Sequence, residues 1–472
     1  MGPKYPLPGA IQHTAEPISN QFRLKSHCVE PRCLRTYTPT QVVIARSAGI
    51  FHWTPENRRL YDFTSGVLVA NLGHNPTKWM QRFSDLMGWP AAGFGSIGTE
   101  NYMPAMALTA YNAITPLEVE ASNRLVRHLQ ASPGGTRLQQ VLWAASGSEA
   151  VQKAIWAALA RDRTRPMILA TRFGFHGKKG LANAVTGSEL DPERDPRVRF
   201  VSFPMRECID ISLRDEPFDV RVYQEELHSL LRQFGRRIGA LITEPYLGGG
   251  GSFHPPRAYL KLLEQFCRDE DIVFILDEVQ SNFGRTGRLF AFERYGVEPD
   301  IVVLGKGLGN GIPVAAAVGR TDLLSAMDYG EGSDTWSANP LCCAAVIATL
   351  EEFERHDLLQ DMQPASAVIE QGLVSLKSYP FVAHIRGEKD GMVWGVEMTD
   401  HSGKSASAWA KDFVLACYRG DAENSDGVHL LGPLSGKVVR IAPPLVINVD
   451  EAAAAINIMH RAAQQLLSTS TL

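Results

Sequence analysis

The chain has 472 residues, 44% of them hydrophobic and 21% charged, which is a globular composition and excludes a disordered or fibrous chain. Its 47 basic and 51 acidic residues leave a net charge of -4, without the basic excess of a general nucleic-acid binder. The uncharged run 101–117 has 17 residues and contains two prolines, too short and too interrupted for a membrane-spanning helix.

The first twenty residues (MGPKYPLPGAIQHTAEPISN) lack the apolar core of a secretory signal and read as a loosely held arm. Residues 40–70 read as a small antiparallel meander: VVIA, then GIFHW, a turn at Thr54–Arg59, then LYDF. Seven short apolar runs follow: Gln140–Ala145, Met167–Thr171, Val198–Phe203, Ile238–Thr243, Ile272–Leu276, Ile301–Leu304 and Val314–Val318. Their apolarity is continuous rather than alternating, the pattern of strands covered on both faces. Helical spacing fills several of the gaps, at Glu149–Arg161, Tyr223–Phe234 and Pro256–Arg268. Only Gly307 to Pro313 separates the last two runs, too few residues for a parallel crossover, so the seventh strand returns antiparallel. The expected fold class is α/β, a seven-stranded, mostly parallel sheet with a second, smaller α+β domain. After Asn339-Pro340 a long helix is expected (LCCAAVIATLEEFERH), then strands (MVWGVEM, VVRIA) mixed with helices (SASAWAKDFVLACYR, EAAAAINIMHRAAQQLL). The division expected is residues 1–75 as arm and meander joining the small domain, 76–345 as the large domain, and 346–472 as the rest of the small domain.

Seven scattered cysteines suggest reduced thiols and a cytoplasmic protein. Cys28 and Cys33 have no second pair to complete a zinc site, so no metal is expected. G-x-S-x-G and H-E-x-x-H motifs are absent.

In open α/β sheets ligands bind beyond the carboxyl ends of the strands. Five polar clusters fall there: Ser146-Gly147-Ser148-Glu149, Gly174-Phe175-His176-Gly177, Glu244-Pro245, Asp277-Glu278-Val279-Gln280 and Gly305-Lys306-Gly307. Ser146-Gly147-Ser148 at a strand-to-helix turn suits an anion, although capping is the commoner use of such residues. Asp277, at the end of an apolar strand, needs a partner such as a pyridinium nitrogen or an arginine. Lys306 between two glycines suits a Schiff-base amine, or simply a lysine reaching for solvent.

Together, SGSEA (146–150), GFHG (174–177), TEPYLGGGG (243–251), ILDEVQSNFGRTG (275–287), LGKGLGNGIPVAA (304–316), TWSANP (335–340) and VVRIAPPLVI (438–447) resemble the class III pyridoxal-phosphate aminotransferases of the ornithine, 4-aminobutyrate and ω-amino acid group. The resemblance implies the type I fold of pyridoxal-phosphate transferases and a homodimer with its active site at the interface. It implies that Lys306 binds the cofactor covalently and then carries protons, and that Asp277 keeps the pyridine nitrogen protonated. Ser146, Gly147 and Ser148 would hold the phosphate; Phe175 would stack on the ring with His176 beside it. Val279 would cover the other face, Gln280 would reach the phenolic oxygen, and Thr335 would reach the phosphate of the neighbouring subunit. Arg440 matches a substrate-carboxylate arginine, and Glu244 the acid that pairs with and masks it, with glycines 248–251 letting that loop adjust. Within TSGVLVANLGH (64–74), Val67 is assigned to the substrate pocket. Lys178 stands where these relatives usually carry a carboxylate-binding arginine, and Met87–Thr99 would help shape the donor pocket. The implied reaction moves an amino group from an ω-amino acid, diamine or amine to 2-oxoglutarate or pyruvate. Racemisation, aminomutase chemistry and decarboxylation would share the same Lys–Asp pair, and a non-catalytic binding relative would have no need of it.

Overall fold

The computed structural model describes residues 10–34, 36–90, 102–191, 194–420 and 426–469. The donor-pocket expectation for 87–99 therefore falls outside the described residues from 91 onward.

The strands, in chain order, are β1 (Arg46–Ala48), β2 (Phe51–Trp53), β3 (Arg59–Asp62), β4 (Gln140–Ala144), β5 (Met167–Thr171), β6 (Val198–Val201), β7 (Ile238–Thr243), β8 (Val273–Asp277), β9 (Ile301–Leu304), β10 (Ala315–Gly319), β11 (Val382–Gly387), β12 (Trp394–Met398), β13 (Gly427–His429) and β14 (Val438–Ile441). They build three sheets, β1-β2-β3-β13, β4-β10-β9-β8-β7-β5-β6 and β11-β12-β14.

The seven expected runs are the seven strands of the large sheet. β5, β7, β8, β9 and β10 are buried along their whole length, which is why their sequences are continuously apolar. β10 pairs antiparallel with both β9 and β4, as the short Gly307–Pro313 connection demands. Two antiparallel pairings in a row restore direction, so β4 points the same way as β9, and the carboxyl ends of β4, β5, β7, β8 and β9 share one edge.

The meander is antiparallel as expected, but its first strand is Arg46–Ala48 and not VVIA. A two-residue turn at Gly49-Ile50, with Gly49 at φ 56°, pairs Ala48 with Phe51 and sets the register regardless of which residues are apolar. Ile50, Tyr61 and Phe63 share a core with Phe381, Trp394, Trp409 and Ile441, so the meander packs with the C-terminal segment. The helix Pro340–Arg355 contributes Cys343 to Leu350 to the large-sheet core; residue 346 thus falls inside a helix that packs on the large sheet. Arg285 of the GRTG motif, fully buried, joins the pieces: it donates to Met392 O at 2.8 Å, Pro443 O at 2.7 Å and Asn71 Oδ1 at 2.5 Å.

The expected loose arm is not loose from residue 10 on. Pro17–Val29 is a helix, and Glu16 before it accepts from Arg23 Nη2 at 2.5 Å and Tyr418 Oη at 2.6 Å. That anchor lies some 400 positions away in sequence, so local composition carried no sign of it.

Candidate active site

The shared strand edge encloses a cavity of about 300 Å³. Ala145–Ser148, Phe175–Gly177, Asp277, Val279, Gln280 and Lys306 line it, closed by Val69 and by Gly311–Val314. Four of the five polar clusters meet here as expected, and the fifth, Glu244, stands behind Gln280 and Phe175. Val69 and the Gly311–Val314 segment carried no assigned role. The antiparallel return of β10 is the signal that would have found the latter, because it brings the start of that strand to the same edge.

Ser146 caps the helix Gly147–Arg161, accepting from Glu149 N, while Glu149 Oε2 accepts from Ala145 N at 3.0 Å. The N–H groups of Gly147 and Ser148 in the first turn have no helical acceptor and are available to an anion. Ser148 Oγ accepts from the backbone of Lys178 at 3.3 Å. Gly177, at φ 138°, lies so close to Ser148 that a β-carbon would collide with the hydroxyl.

Asp277 ends β8 with its carboxylate almost wholly buried. Oδ1 accepts from Val279 N at 3.0 Å and Oδ2 faces His176 Nδ1 at 2.7 Å. His176 Nε2 is buried without a hydrogen-bond partner. The Lys306 ammonium is pushed down to about 8, chiefly by burial and further by Arg440, with Asp277 and Glu244 opposing. Its backbone sits at φ 48°, an uncommon conformation for a residue with a side chain, enforced where β9 turns into Lys306–Gly309.

Burial pushes Glu244 up to about 7, helped by the charge of Asp277 and opposed by His176 and by the N–H groups of Phe175 and Gly248. The expected direct pair of Glu244 with Arg440 is not formed. Gln280 stands between them: Nε2 donates to Glu244 Oε2 at 3.0 Å, and Oε1 accepts from Arg440 Nη1 at 2.9 Å. The same contact engages the Gln280 amide assigned to the phenolic oxygen. The reason is steric. A β-carbon at Gly248 would lie 2.6 Å from Gln280 Oε1, so the glycine leaves the amide room between the acid and the arginine. At Gly248 the glycine run allows a close approach. Arg440 is itself buried, and burial lowers its pKa despite the nearby Tyr246 and Glu244.

Besides Glu244 and Arg440, which stand behind Gln280, three assigned residues lie outside the cavity lining. The Lys178 side chain is exposed. Val67 is also exposed, in a turn where Ser65 to Leu68 all have positive φ, and its neighbour Val69 supplies the contact instead. Thr335 is exposed on a loop moored by Asp334, whose Oδ2 accepts from Lys153 Nζ at 2.6 Å; Lys153 also donates to Trp143 O at 2.6 Å.

The cavity suits pyridoxal phosphate: first-turn N–H groups for the phosphate, an aromatic at Phe175, a buried carboxylate for the pyridinium, and a lysine of lowered pKa for the aldehyde. Gly147 keeps the cradle open, since a β-carbon there would lie 3.1 Å from a Val279 methyl.

Residues 33–463 match the family model for aminotransferase class-III. The chain is 27% identical over 444 residues to an acetylornithine aminotransferase of Oceanobacillus iheyensis, covering 93% of this chain and 97% of the relative. It is 29% identical over 463 residues to a 4-aminobutyrate aminotransferase of Mycobacterium leprae, covering 94% and 95%. Its fold is similar to the crystal structure of an (S)-enantioselective ω-transaminase from Thermomicrobium roseum, with TM-score 0.78, 24% identity, and 94% and 98% of the two chains covered. With residues 33–463 matching the family model and 93% of the chain aligned to an aminotransferase, the chain belongs to the class-III aminotransferases and is a pyridoxal-phosphate-dependent enzyme.

Proposed function

We propose that this aminotransferase takes its amino group from an ω-amino acid, diamine or amine and passes it to 2-oxoglutarate or pyruvate, with Arg440 receiving the carboxylate of the 2-oxo acid. The observation that carries this reading is the buried chain Arg440–Gln280–Glu244. A guanidinium capped by a neutral amide is screened from an entering amine, yet gives up only one hydrogen bond when a carboxylate takes the amide's place. The named relatives act on acetylornithine and on 4-aminobutyrate, which supports a donor whose reacting amine is remote from a carboxylate.

The bound cofactor supplies an aldehyde to hold the amine and a pyridinium ring to take up electrons. Lys306 would engage that aldehyde and carry the proton, Asp277 would hold the ring-nitrogen proton, and His176 orients Asp277 through Nδ1. Phe175 and Val279 would hold the ring, and Ser146, Gly147 and Ser148 would bind the phosphate. Thr335, exposed on its moored loop, is read as serving a neighbouring subunit, which makes the working unit a homodimer. Residues 1–75 and the chain beyond the helix Pro340–Arg355 are read as the smaller domain, and the part from 76 through that helix as the larger. Among the described residues no helix is long and apolar enough to cross a membrane. The seven cysteines are all free thiols, in keeping with a cytoplasmic setting.

Arg440→Lys tests the carboxylate assignment. It should lower kcat/KM for a 2-oxo acid about 10- to 150-fold, the equivalent of about 1.5–3 kcal/mol for a hydrogen bond to a charged group. An aldehyde acceptor, having no carboxylate, should lose far less. Equal losses for both acceptors would make the arginine structural.

The lowered pKa of Lys306 predicts a pH dependence for cofactor uptake. Only the neutral amine attacks an aldehyde. At pH 7 about a tenth of a lysine with pKa about 8 is neutral, against roughly one part in three thousand for an ordinary one. Uptake of pyridoxal phosphate by the apoenzyme, followed by absorbance, should therefore accelerate as pH rises to about 8 and then level off. A rate still climbing at pH 10 would mean an ordinary lysine.

A further inference from the structure

A second cluster of reactive side chains lies away from the cofactor cavity, where the meander meets the C-terminal segment. His52 comes from the middle of β2 and Asp62 from the end of β3; His74 follows the cavity-lining stretch at Val69. His52 Nε2 is 3.4 Å from Asp62 Oδ2, and His74 Nε2 is 2.7 Å from the same oxygen. These three donor atoms lie within 4.8 Å of one another. His429 stands directly opposite Asp62 in the β3–β13 pairing, with its ring centroid 5.7 Å from that of His52. It is buried, and its Nδ1 has no hydrogen-bond partner.

From these positions we propose that His52, Asp62 and His74 form a binding site for a divalent transition metal of the zinc type, which would tie the meander to the segment leading into the active site. Two imidazoles and one carboxylate are a common donor set for such ions. Ligands at about 2.0–2.1 Å around a tetrahedral ion stand about 3.3 Å apart. The His52–Asp62 separation already matches this edge and is long for a charge-assisted hydrogen bond. The His74 contact needs to open by only about 0.6 Å to reach the same spacing.

The surrounding groups orient the ligands. Ser47 Oγ meets His52 Nδ1 at 2.7 Å, so Nε2 is the nitrogen turned to the site. Thr64 donates to Asp62 Oδ1 twice, from N at 2.8 Å and from Oγ1 at 2.7 Å, leaving Oδ2 for the ion. His429, whose Nδ1 lacks a hydrogen-bond partner and whose ring centroid stands 5.7 Å from that of His52, is the candidate for the fourth position, which water would otherwise take.

The test uses the cofactor-loaded enzyme, treated with a chelator, loaded with Zn2+, dialysed, and assayed for zinc by elemental analysis. About one ion per chain is expected, with a higher unfolding temperature than the stripped protein. His52→Gln and His74→Gln should each lose the ion and the thermal shift. Ser47→Ala, which removes only an orienting contact, should fold normally and bind zinc about 10- to 100-fold more weakly. A wild-type protein that retains no zinc would overturn the site and leave a hydrogen-bonded His–Asp–His group. Zinc held equally tightly by Ser47→Ala and His52→Gln would also overturn it, by putting the ion elsewhere.

Discussion

Lys306→Ala is expected to reduce turnover by about four orders of magnitude or more while leaving the fold intact. On the proposed function the side chain would do two jobs at one place, as the amine that engages the cofactor aldehyde and as the base that moves the proton. General acid–base catalysis alone contributes about 10²- to 10⁴-fold, and the lost covalent route adds to it. Lys306 lies where five strand ends converge, and among the described residues no other lysine lines the cavity. Truncation removes a buried amine of lowered pKa rather than an ion-pair partner, so little stability should be lost. Pyridoxal phosphate should still bind through the groups at Gly147 and Ser148, now without the absorbance signature of the lysine-bound form. Steady-state rates and absorbance spectra of the variant check both halves; turnover within tenfold of the parent would remove Lys306 from the chemistry.

Asp277→Asn is expected to lower kcat by about 10²- to 10³-fold, the usual loss when one preorganised electrostatic group is removed from a buried site. The substitution keeps the size, and asparagine can still accept from Val279 N, which now bonds Oδ1 at 3.0 Å. What disappears is the negative charge that faces His176 Nδ1 at 2.7 Å and, on the proposed function, would stabilise a protonated ring nitrogen. The single-turnover rate of the amine half-reaction is the measurement to make, since it isolates proton removal from product release. A change of only a few-fold would mean that Asp277 serves as a strand-end carboxylate satisfied by His176.

Much of the architecture could be read from residue order. The large sheet was legible because burial on both faces leaves a continuous apolar run, and β5, β7 and β9 begin and end where those runs do. The antiparallel β10 followed from chain length alone. Strand ends then nominated the polar clusters that line the cavity. The smaller sheets were harder. β13 is only Gly427–His429 and has no pattern of its own; it exists because β3 offers it a parallel edge. β1 took its register from the turn at Gly49-Ile50 and begins directly after the apolar run read as the strand.

By itself the sequence determined the α/β sheet, the edge on which the cavity forms, and that Lys306 and Asp277 stand on that edge, because each depends on local burial and on motifs contiguous in the chain. The tertiary structure alone decided who touches whom across long separations. Gln280 comes between Glu244 and Arg440 because Gly248 leaves it room there, and a glycine's neighbours across space are not written beside it. The exposure of Lys178 and Val67 was likewise settled by packing, as was the anchoring of Glu16 by Tyr418. So was the meeting of His52, Asp62, His74 and His429: those residues are spread over nearly 380 positions, and only strand pairing brings them within reach of one another.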